Sequence, residues 1–363
     1  MQDRPSSPYA SLPPEAYWRT GVADAGLHGL KALWASRWVL PSDARFSTFG
    51  SCFAQHISRA LVARQIDWVD AEPAPGRCPP EIARRYNYGI FSARTANIYT
   101  AAQLLYLARL AVGDVAAEAA EFWEDGGRVY DSLRPAIEPA GFACREEALF
   151  SRYSMIRAFR RAIVRPDIFV FTLGLTEGWE NADTGQPYPM CPGTVAGRFA
   201  AGIHVFRNYR VAEVARDLSA AIEAMRRLNP ALRVLLTVSP VPLTATRSGQ
   251  HVLVATTYSK SALRAVAGEL AAADPEVDYF PSYEIIAGAP ARAGFFAPNM
   301  RSIEAAGVDL VMRHFFAGLD LSGPAAHGQG SAAEDRPESD IEAEMASEDL
   351  ACEESLLETF NRG

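Results

Sequence analysis

The feature that most constrains the fold of this 363-residue chain is an alternation of short β-rich runs with amphipathic helical stretches. Runs of β-branched and aromatic residues predict strands over 45–49, 67–71, 168–174, 233–239 and 277–283. Apolar residues at helical spacing predict helices over 53–64, 101–112, 146–164, 211–227, 259–273 and 302–317, each with one face to bury. The pattern implies an α/β fold in which a small, doubly wound, five-stranded parallel sheet is covered by helices on both faces.

The first strand runs into a distinctive corner. Phe46-Ser47-Thr48-Phe49 leads directly into Gly50-Ser51-Cys52 and then into a helix. A hydroxyl there projects above the carboxyl edge of the sheet, beside the N–H groups of a helix start, a setting that suits an anionic intermediate. Ser51 is therefore the candidate nucleophile, with helix N-capping as the structural alternative. The backbone N–H of Cys52 is a candidate oxyanion donor. Its thiol, also at the helix start, invites a thiolate mechanism, although packing as a small residue is the commoner use.

A serine needs a base within hydrogen-bond reach. Of six histidines, His28 lies in the amino-terminal extension, His204 in an aromatic insertion, His314 in a buried-looking helix and His327 in the tail. His56 follows Ser51 by one and a half helical turns, which points its ring away; packing is its expected role, with service as an alternative base. His251 lies in a polar loop leaving the fourth strand at the same carboxyl edge as Ser51, and it is the favoured base. Glu284, closing the fifth strand, is the candidate for orienting that histidine, against a salt bridge to an arginine such as Arg292 or Arg301. Glu177, after the third strand, is the rival acid.

Two insertions interrupt the alternation. Residues 122–130 read as a hairpin around an Asp-Gly turn, and 181–209, rich in Gly, Pro and aromatics, is either a lid or a surface excursion packed on Tyr188, Phe199 and Phe206. The expected organisation is an amino-terminal extension over 1–40 packed on the domain, an α/β domain over 41–320, and a disordered acidic tail over 321–363. In that tail Leu350, Leu356, Leu357 and Phe360 have the spacing of a short acidic amphipathic helix, which either frays in solvent, the favoured reading, or docks on a protein partner.

The formal net charge of −8 and the lack of a basic patch argue against nucleic acid. Cys52, Cys78, Cys144, Cys191 and Cys352 form no metal-ligand or disulfide pattern, so free thiols, no metal and a reducing compartment are expected. No phosphate-cradling Gly motif appears, so no cofactor is indicated. No leader-like segment and no membrane-spanning run are present, which makes a cytoplasmic, non-membrane protein the expectation.

Gly50-Ser51-Cys52-Phe53-Ala54 spells the motif after which the GSCFA family is named, and further segments resemble that family in order. These are Asn97-Ile98-Tyr99-Thr100, Thr172-Leu173-Gly174-Leu175-Thr176-Glu177, Cys191-Pro192-Gly193-Thr194, Ser239-Pro240-Val241-Pro242, Ser259-Lys260 and Tyr279-Phe280-Pro281-Ser282-Tyr283-Glu284. That family in turn resembles SGNH/GDSL hydrolases. The resemblance implies a three-layer α/β/α, flavodoxin-like fold with a Ser nucleophile after the first strand, and carbohydrate O-acyl groups as the first substrate class to consider. It places Gly174 at the oxyanion corner, with Thr176 where those enzymes carry an Asn, and Asn97 near their second conserved block as a further donor or a helix cap. The chain also departs from the pattern. The Asp-x-x-His expected before the last helix reads Asn299-Met300-Arg301-Ser302, and Ser302 resembles an N-cap. Two functions follow: a serine esterase or acyltransferase working through a Ser51 acyl-enzyme, or a catalytically inactive module of the same shape that binds a glycan or a protein partner.

Overall fold

The computed structural model describes residues 7–323 and 353–361. In chain order, its elements begin with the short helix α1 (Gly26–Gly29), β1 (Val39–Pro41), β2 (Phe46–Gly50), α2 (Ala54–Ala63), α3 (Pro80–Arg85) and α4 (Ala101–Val112). The hairpin β3 (Phe122–Asp125) and β4 (Arg128–Asp131) follows, then α5 (Arg145–Val164), β5 (Ile168–Leu173), β6 (Glu177–Asn181), β7 (Pro187–Tyr188) and β8 (His204–Asn208). The remainder comprises α6 (Val211–Arg226), β9 (Arg233–Val238), α7 (Val252–Ala273), β10 (Val277–Phe280), α8 (Ser282–Ala287), α9 (Ala305–Gly318) and β11 (Asp320–Gly323).

The central sheet is parallel, ordered β10-β9-β5-β2, with Gly50 level with Thr172 and Thr172 level with Thr237. Side chains alternate between its faces. Phe169, Phe171, Val234 and Leu236 pack under α4, α5, α6 and α7, whereas Ile168, Val170, Leu235 and Phe280 pack under α2, α8 and α9. Both faces are thus apolar, as a parallel sheet with helices on each side requires.

The sheet has four strands and not the expected five. Residues 67–71 contribute only an isolated parallel bridge between Trp68 and Phe46, on the edge of β2 away from β5. Val69 N–H still donates to the Phe46 carbonyl at 2.8 Å, but beyond it Ser92 takes over, donating its N–H to the Thr48 carbonyl at 3.3 Å while its own carbonyl accepts from Ala71. Pro73 and Pro75, which carry no N–H, follow immediately and prevent the run from continuing as a ladder. The remnant still fixes topology. The chain goes outward from β2 with α2 on one face, then returns to build β5, β9 and β10 in sequence under helices on the other. The direction of winding therefore reverses between β2 and β5, the place where open α/β sheets leave a crevice.

Other expectations meet the structure as follows. In the hairpin, Asp125 pairs with Arg128, and Gly126 and Gly127 take φ of 54° and 73°, as a two-residue turn of this hand demands. The 181–209 insertion, with β6, makes an antiparallel sheet β7-β6-β8, and Trp179 meets Phe199 and Phe206 edge-on at 5.6 and 5.7 Å. The last sheet strand stops at Phe280, because Pro281 cannot donate to a ladder and Ser282 opens α8 instead. In the amino-terminal segment, Trp34 stacks on Phe315 and donates its Nε1–H to Asp278 at 3.2 Å. Residues 320–323, partly assigned to the tail, form β11 and pair in parallel with β1. The expected disorder over 324–352 lies outside the described residues, as does Leu350 of the proposed tail helix.

A fully buried ion cluster ties the hairpin to the layers. Asp131 receives Arg134 Nε at 3.1 Å and Arg152 Nη2 at 2.6 Å. Burial opposes ionisation of this carboxyl, but the two guanidiniums outweigh it and hold the pKa below the ordinary value. Arg152 also donates to the carbonyls of Ala117 and Ala120, and Arg134 donates to the Arg94 carbonyl at 2.9 Å. The cluster thereby anchors the segment that runs from Arg94 toward the Ser51 corner.

Candidate functional site

Ser51 sits where β2 hands over to α2, at the reversal between β2 and β5. Gly50 makes the corner with φ of 135°, and a Cβ on it would collide with the Thr172 backbone, so only Gly fits. The Ser51 N–H donates to the Thr172 carbonyl at 3.1 Å. Its hydroxyl does not cap the helix, since α2 starts at Ala54 behind Phe53 with no side-chain cap. Ser51 is 3 % exposed, and among the described residues its Oγ has no hydrogen-bond partner.

The crevice that the topology creates is filled by the chain itself. Ile98 N–H donates to the Gly50 carbonyl at 2.8 Å, and the Tyr99 carbonyl accepts from the N–H groups of Gly174 and Leu175 at 3.2 and 2.9 Å. The segment Asn97-Ile98-Tyr99 therefore lies wedged between the ends of β2 and β5, all three residues buried. Ala96 enters it with φ of 57°, an unfavourable conformation for a residue with a Cβ. Asn97 does not cap α4. Thr100 does so, in a reciprocal arrangement with Gln103. Tyr99 continues into a small apolar cluster with Leu175 and Leu243.

The corner at Gly174, where an oxyanion site was expected, is braced from α7. Lys260, buried in the middle of that helix, donates from Nζ to the Gly174 carbonyl at 2.7 Å, and Ser259 Oγ accepts from the Thr176 N–H at 2.9 Å. The Thr176 hydroxyl is committed to Asn208 Oδ1 at 2.8 Å. Sequence reasoning left Ser259-Lys260 without a role. A signal was present, since Lys260 falls in register with Leu263 and Ala267, the buried stripe of α7, where a lysine needs a defined partner.

None of the proposed bases and acids hydrogen-bonds the Ser51 hydroxyl. His251 is exposed and forms the N-cap of α7, its Nδ1 accepting from the Leu253 N–H at 3.2 Å. This cap is why α7 starts seven residues earlier than its periodicity predicted. His56 is buried on α2 with its ring against Phe53 at 5.1 Å. Glu284 accepts from Arg264 Nε at 2.5 Å and from the Tyr279 hydroxyl at 2.8 Å, beside the β10 edge of the sheet, with β9 and β5 between it and β2. In place of Asp-x-x-His, Asn299 accepts from the N–H groups of Arg301 and Ser302 and donates to Ser302 Oγ at 3.0 Å. Ser302 thus closes a turn with Asn299 and is not the cap of α9, which begins at Ala305.

Glu177 opens β6 and faces a different space. Its carboxylate accepts from Thr246 Oγ1 at 2.7 and 2.9 Å and from the Arg247 N–H at 3.4 Å. Burial raises its pKa, and these hydrogen bonds only partly offset the rise. Around it lies a cavity of about 210 Å³ bounded by Leu175, Trp179, Met190, Cys191, Phe206, Leu243 and Arg247. Burial pushes the Cys191 thiol up to about 11, so it is a neutral wall residue at physiological pH. A wider depression of about 490 Å³ continues over Phe199 and His204, sharing Trp179, Phe206 and Arg247. His204 accepts from the Ala200 N–H at 3.0 Å and packs edge-on against Tyr188.

Among the described residues no disulfide links Cys52, Cys78, Cys144 or Cys191, no cluster of three or more His, Cys, Asp or Glu is arranged to hold a metal, and no helix is long and apolar enough to cross a membrane. The profile of the GSCFA family matches residues 45–315, which takes in every element from β2 into α9. No curated protein and no solved structure matches the chain.

Proposed function

We propose that this chain, which belongs to the GSCFA family, is a glycan-binding module on an SGNH-hydrolase-like scaffold and does not run ester hydrolysis at Ser51. One observation carries the reading: the crevice between β2 and β5 is occupied by Asn97-Ile98-Tyr99, leaving the Ser51 hydroxyl enclosed. Acyl transfer needs a base on the hydroxyl and room for a tetrahedral centre beside oxyanion donors. Here His251 caps a helix, Glu284 is held by Arg264 and Tyr279, and Thr176 is tied to Asn208.

The ligand site is the cavity over Glu177. Trp179 and Phe206 offer aromatic surface for the apolar face of a sugar ring, and the Glu177 carboxyl with the Arg247 guanidinium offers an acceptor and donors for its hydroxyls. Titrating a panel of neutral oligosaccharides against tryptophan fluorescence, with Trp179→Ala and Glu177→Gln alongside, tests the reading. Saturable binding that both substitutions weaken supports it, and no binding across the panel removes it.

A second reading is favoured by the partnerless Ser51 hydroxyl itself, since buried hydroxyls are ordinarily paired. In it the Asn97-Ile98-Tyr99 segment withdraws, Ser51 attacks a carbohydrate O-acyl ester, His251 takes and returns the proton with Glu284 or Glu177 orienting it, and His56 is the reserve base. The backbone N–H groups of Cys52 and of Gly174, the latter released by Tyr99, then serve the oxyanion, and Asn97, the other donor candidate, leaves with its segment. Turnover of acetylated-sugar or aryl esters that disappears in Ser51→Ala would install this reading in place of the first.

A further inference from the structure

The cavity beside Glu177 is bordered by one side chain from far along the chain. Leu357, in the 3-10 segment Glu353–Asn361, stands with Trp179, Met190, Phe206 and Arg247 around the same space. It is half-buried, while Leu356 and Phe360 are 39 % and 70 % exposed. We infer that Glu353–Asn361 is a strap that docks Leu357 into this cavity and keeps other ligands out, an inference that rests on reading the cavity as a ligand site.

Three observations argue for this occupant. The wall that Leu357 meets is apolar, formed by Leu175, Met190, Phe206 and Leu243, and Leu357 is the apolar group presented to it. The segment carries the Glu358 carboxylate, and the cavity carries the Arg247 guanidinium, whereas its own carboxylate is already engaged by Thr246. Reach is ample. Residues 324–352 join Gly323 to the strap, and their extended length of roughly 100 Å exceeds a domain diameter of roughly 50 Å.

The energetics suit a competitor more than a permanent wall. A single leucine contact is weak between separate molecules, but a tethered segment experiences an effective concentration of the order of millimolar. One anchoring side chain therefore suffices for docking, and an external ligand of moderate affinity displaces it.

Hydrogen–deuterium exchange on the full chain, comparing the parent with Leu357→Asp, reads docking directly. Exchange over 245–247 and 353–361 is expected to be about tenfold faster in the variant, equally so at low and high protein concentration. A peptide spanning 350–363, added at a concentration of the order of millimolar to match the tether, restores protection over 245–247 of the variant, and the same peptide carrying Leu357→Asp does not. Equal exchange in parent and variant overturns the inference. Protection that grows with protein concentration also overturns it, because the occupant is then a second copy. Exclusion is read with 8-anilinonaphthalene-1-sulfonate, expected to bind Leu357→Asp about tenfold more tightly than the parent, with the gain lost on adding Phe206→Ala. Equal probe affinity in parent and variant overturns exclusion. If the exchange and probe differences hold while neither protein binds any oligosaccharide, the strap stands and the glycan reading falls.

Discussion

Gly174 comes so near Ser51 that a Cβ built on it would lie 2.9 Å from the Cβ of the serine. The ends of β5 and β2 therefore touch at the point where the winding of the sheet reverses. That contact, with Tyr99 packed on the same glycine at 3.1 Å from the same built Cβ, leaves no room for a methyl group. Gly174→Ala is expected to lower stability by about 1–3 kcal/mol. Urea unfolding checks this, and an unchanged midpoint would mean that the corner is looser than its geometry implies.

Lys260 braces the same corner from the opposite side through the Gly174 carbonyl. Lys260→Met preserves most of the side-chain volume but leaves that carbonyl without its ammonium donor. The expected cost is about 1–3 kcal/mol, the penalty for a buried group that has lost its partner. The midpoint in urea should fall with its slope unchanged, and a variant as stable as the parent would show that the lysine has no part in holding the turn.

Asp131 neutralises two guanidiniums that, like itself, are fully buried. Asp131→Asn leaves both uncompensated, and a loss of about 3–5 kcal/mol is expected. The pH dependence follows from the depressed pKa. The carboxyl's contribution is present above its ordinary value of 3.8 and is lost as pH falls through the lower folded value. Melting temperatures of parent and variant should therefore differ most near neutrality and converge in strong acid.

Glu177 has the opposite sign. Its folded pKa is raised by burial above the ordinary 4.5, so the folded state prefers the protonated carboxyl and stability is lost as pH rises through the folded value. Glu177→Gln keeps an acceptor for Thr246 and removes the charge. The melting temperature of the variant relative to the parent should rise between pH 4 and pH 8; a flat difference across that range would contradict the raised pKa.

The Ser51 hydroxyl is buried and makes no hydrogen bond among the described residues. Removing an unsatisfied polar group costs nothing in pairing, so Ser51→Ala is expected to be as stable as the parent or more stable by up to about 1 kcal/mol. A drop in thermal stability would reveal a hydrogen bond that forms in solution.

Much of the architecture was legible because it depends on local periodicity. The helix at 101–112 matches α4 over its whole length, and the hairpin followed from its Asp-Gly turn. The failures have local causes that periodicity does not carry. The run 67–71 has strand composition, yet Ser92 displaces it after one bridge. His251 reads as a loop residue until its imidazole is seen accepting the Leu253 N–H, which adds two turns to α7. Glu284 lies at the end of a strand run, but Arg264 and Tyr279 turn it outward to the sheet edge.

The sequence alone determined the parallel α/β character, the strand–Gly–Ser–helix corner and membership of the GSCFA family, because alternating apolar runs and a residue motif are properties of neighbours along the chain. Only the tertiary structure decided what surrounds the corner. That Asn97-Ile98-Tyr99 fills the crevice, that Lys260 reaches across to Gly174, and that Leu357 meets Trp179 and Phe206 at one cavity all join positions tens to hundreds of residues apart. Such contacts are chosen by the packing of layers against one another, and no local pattern encodes which partner each side chain will find.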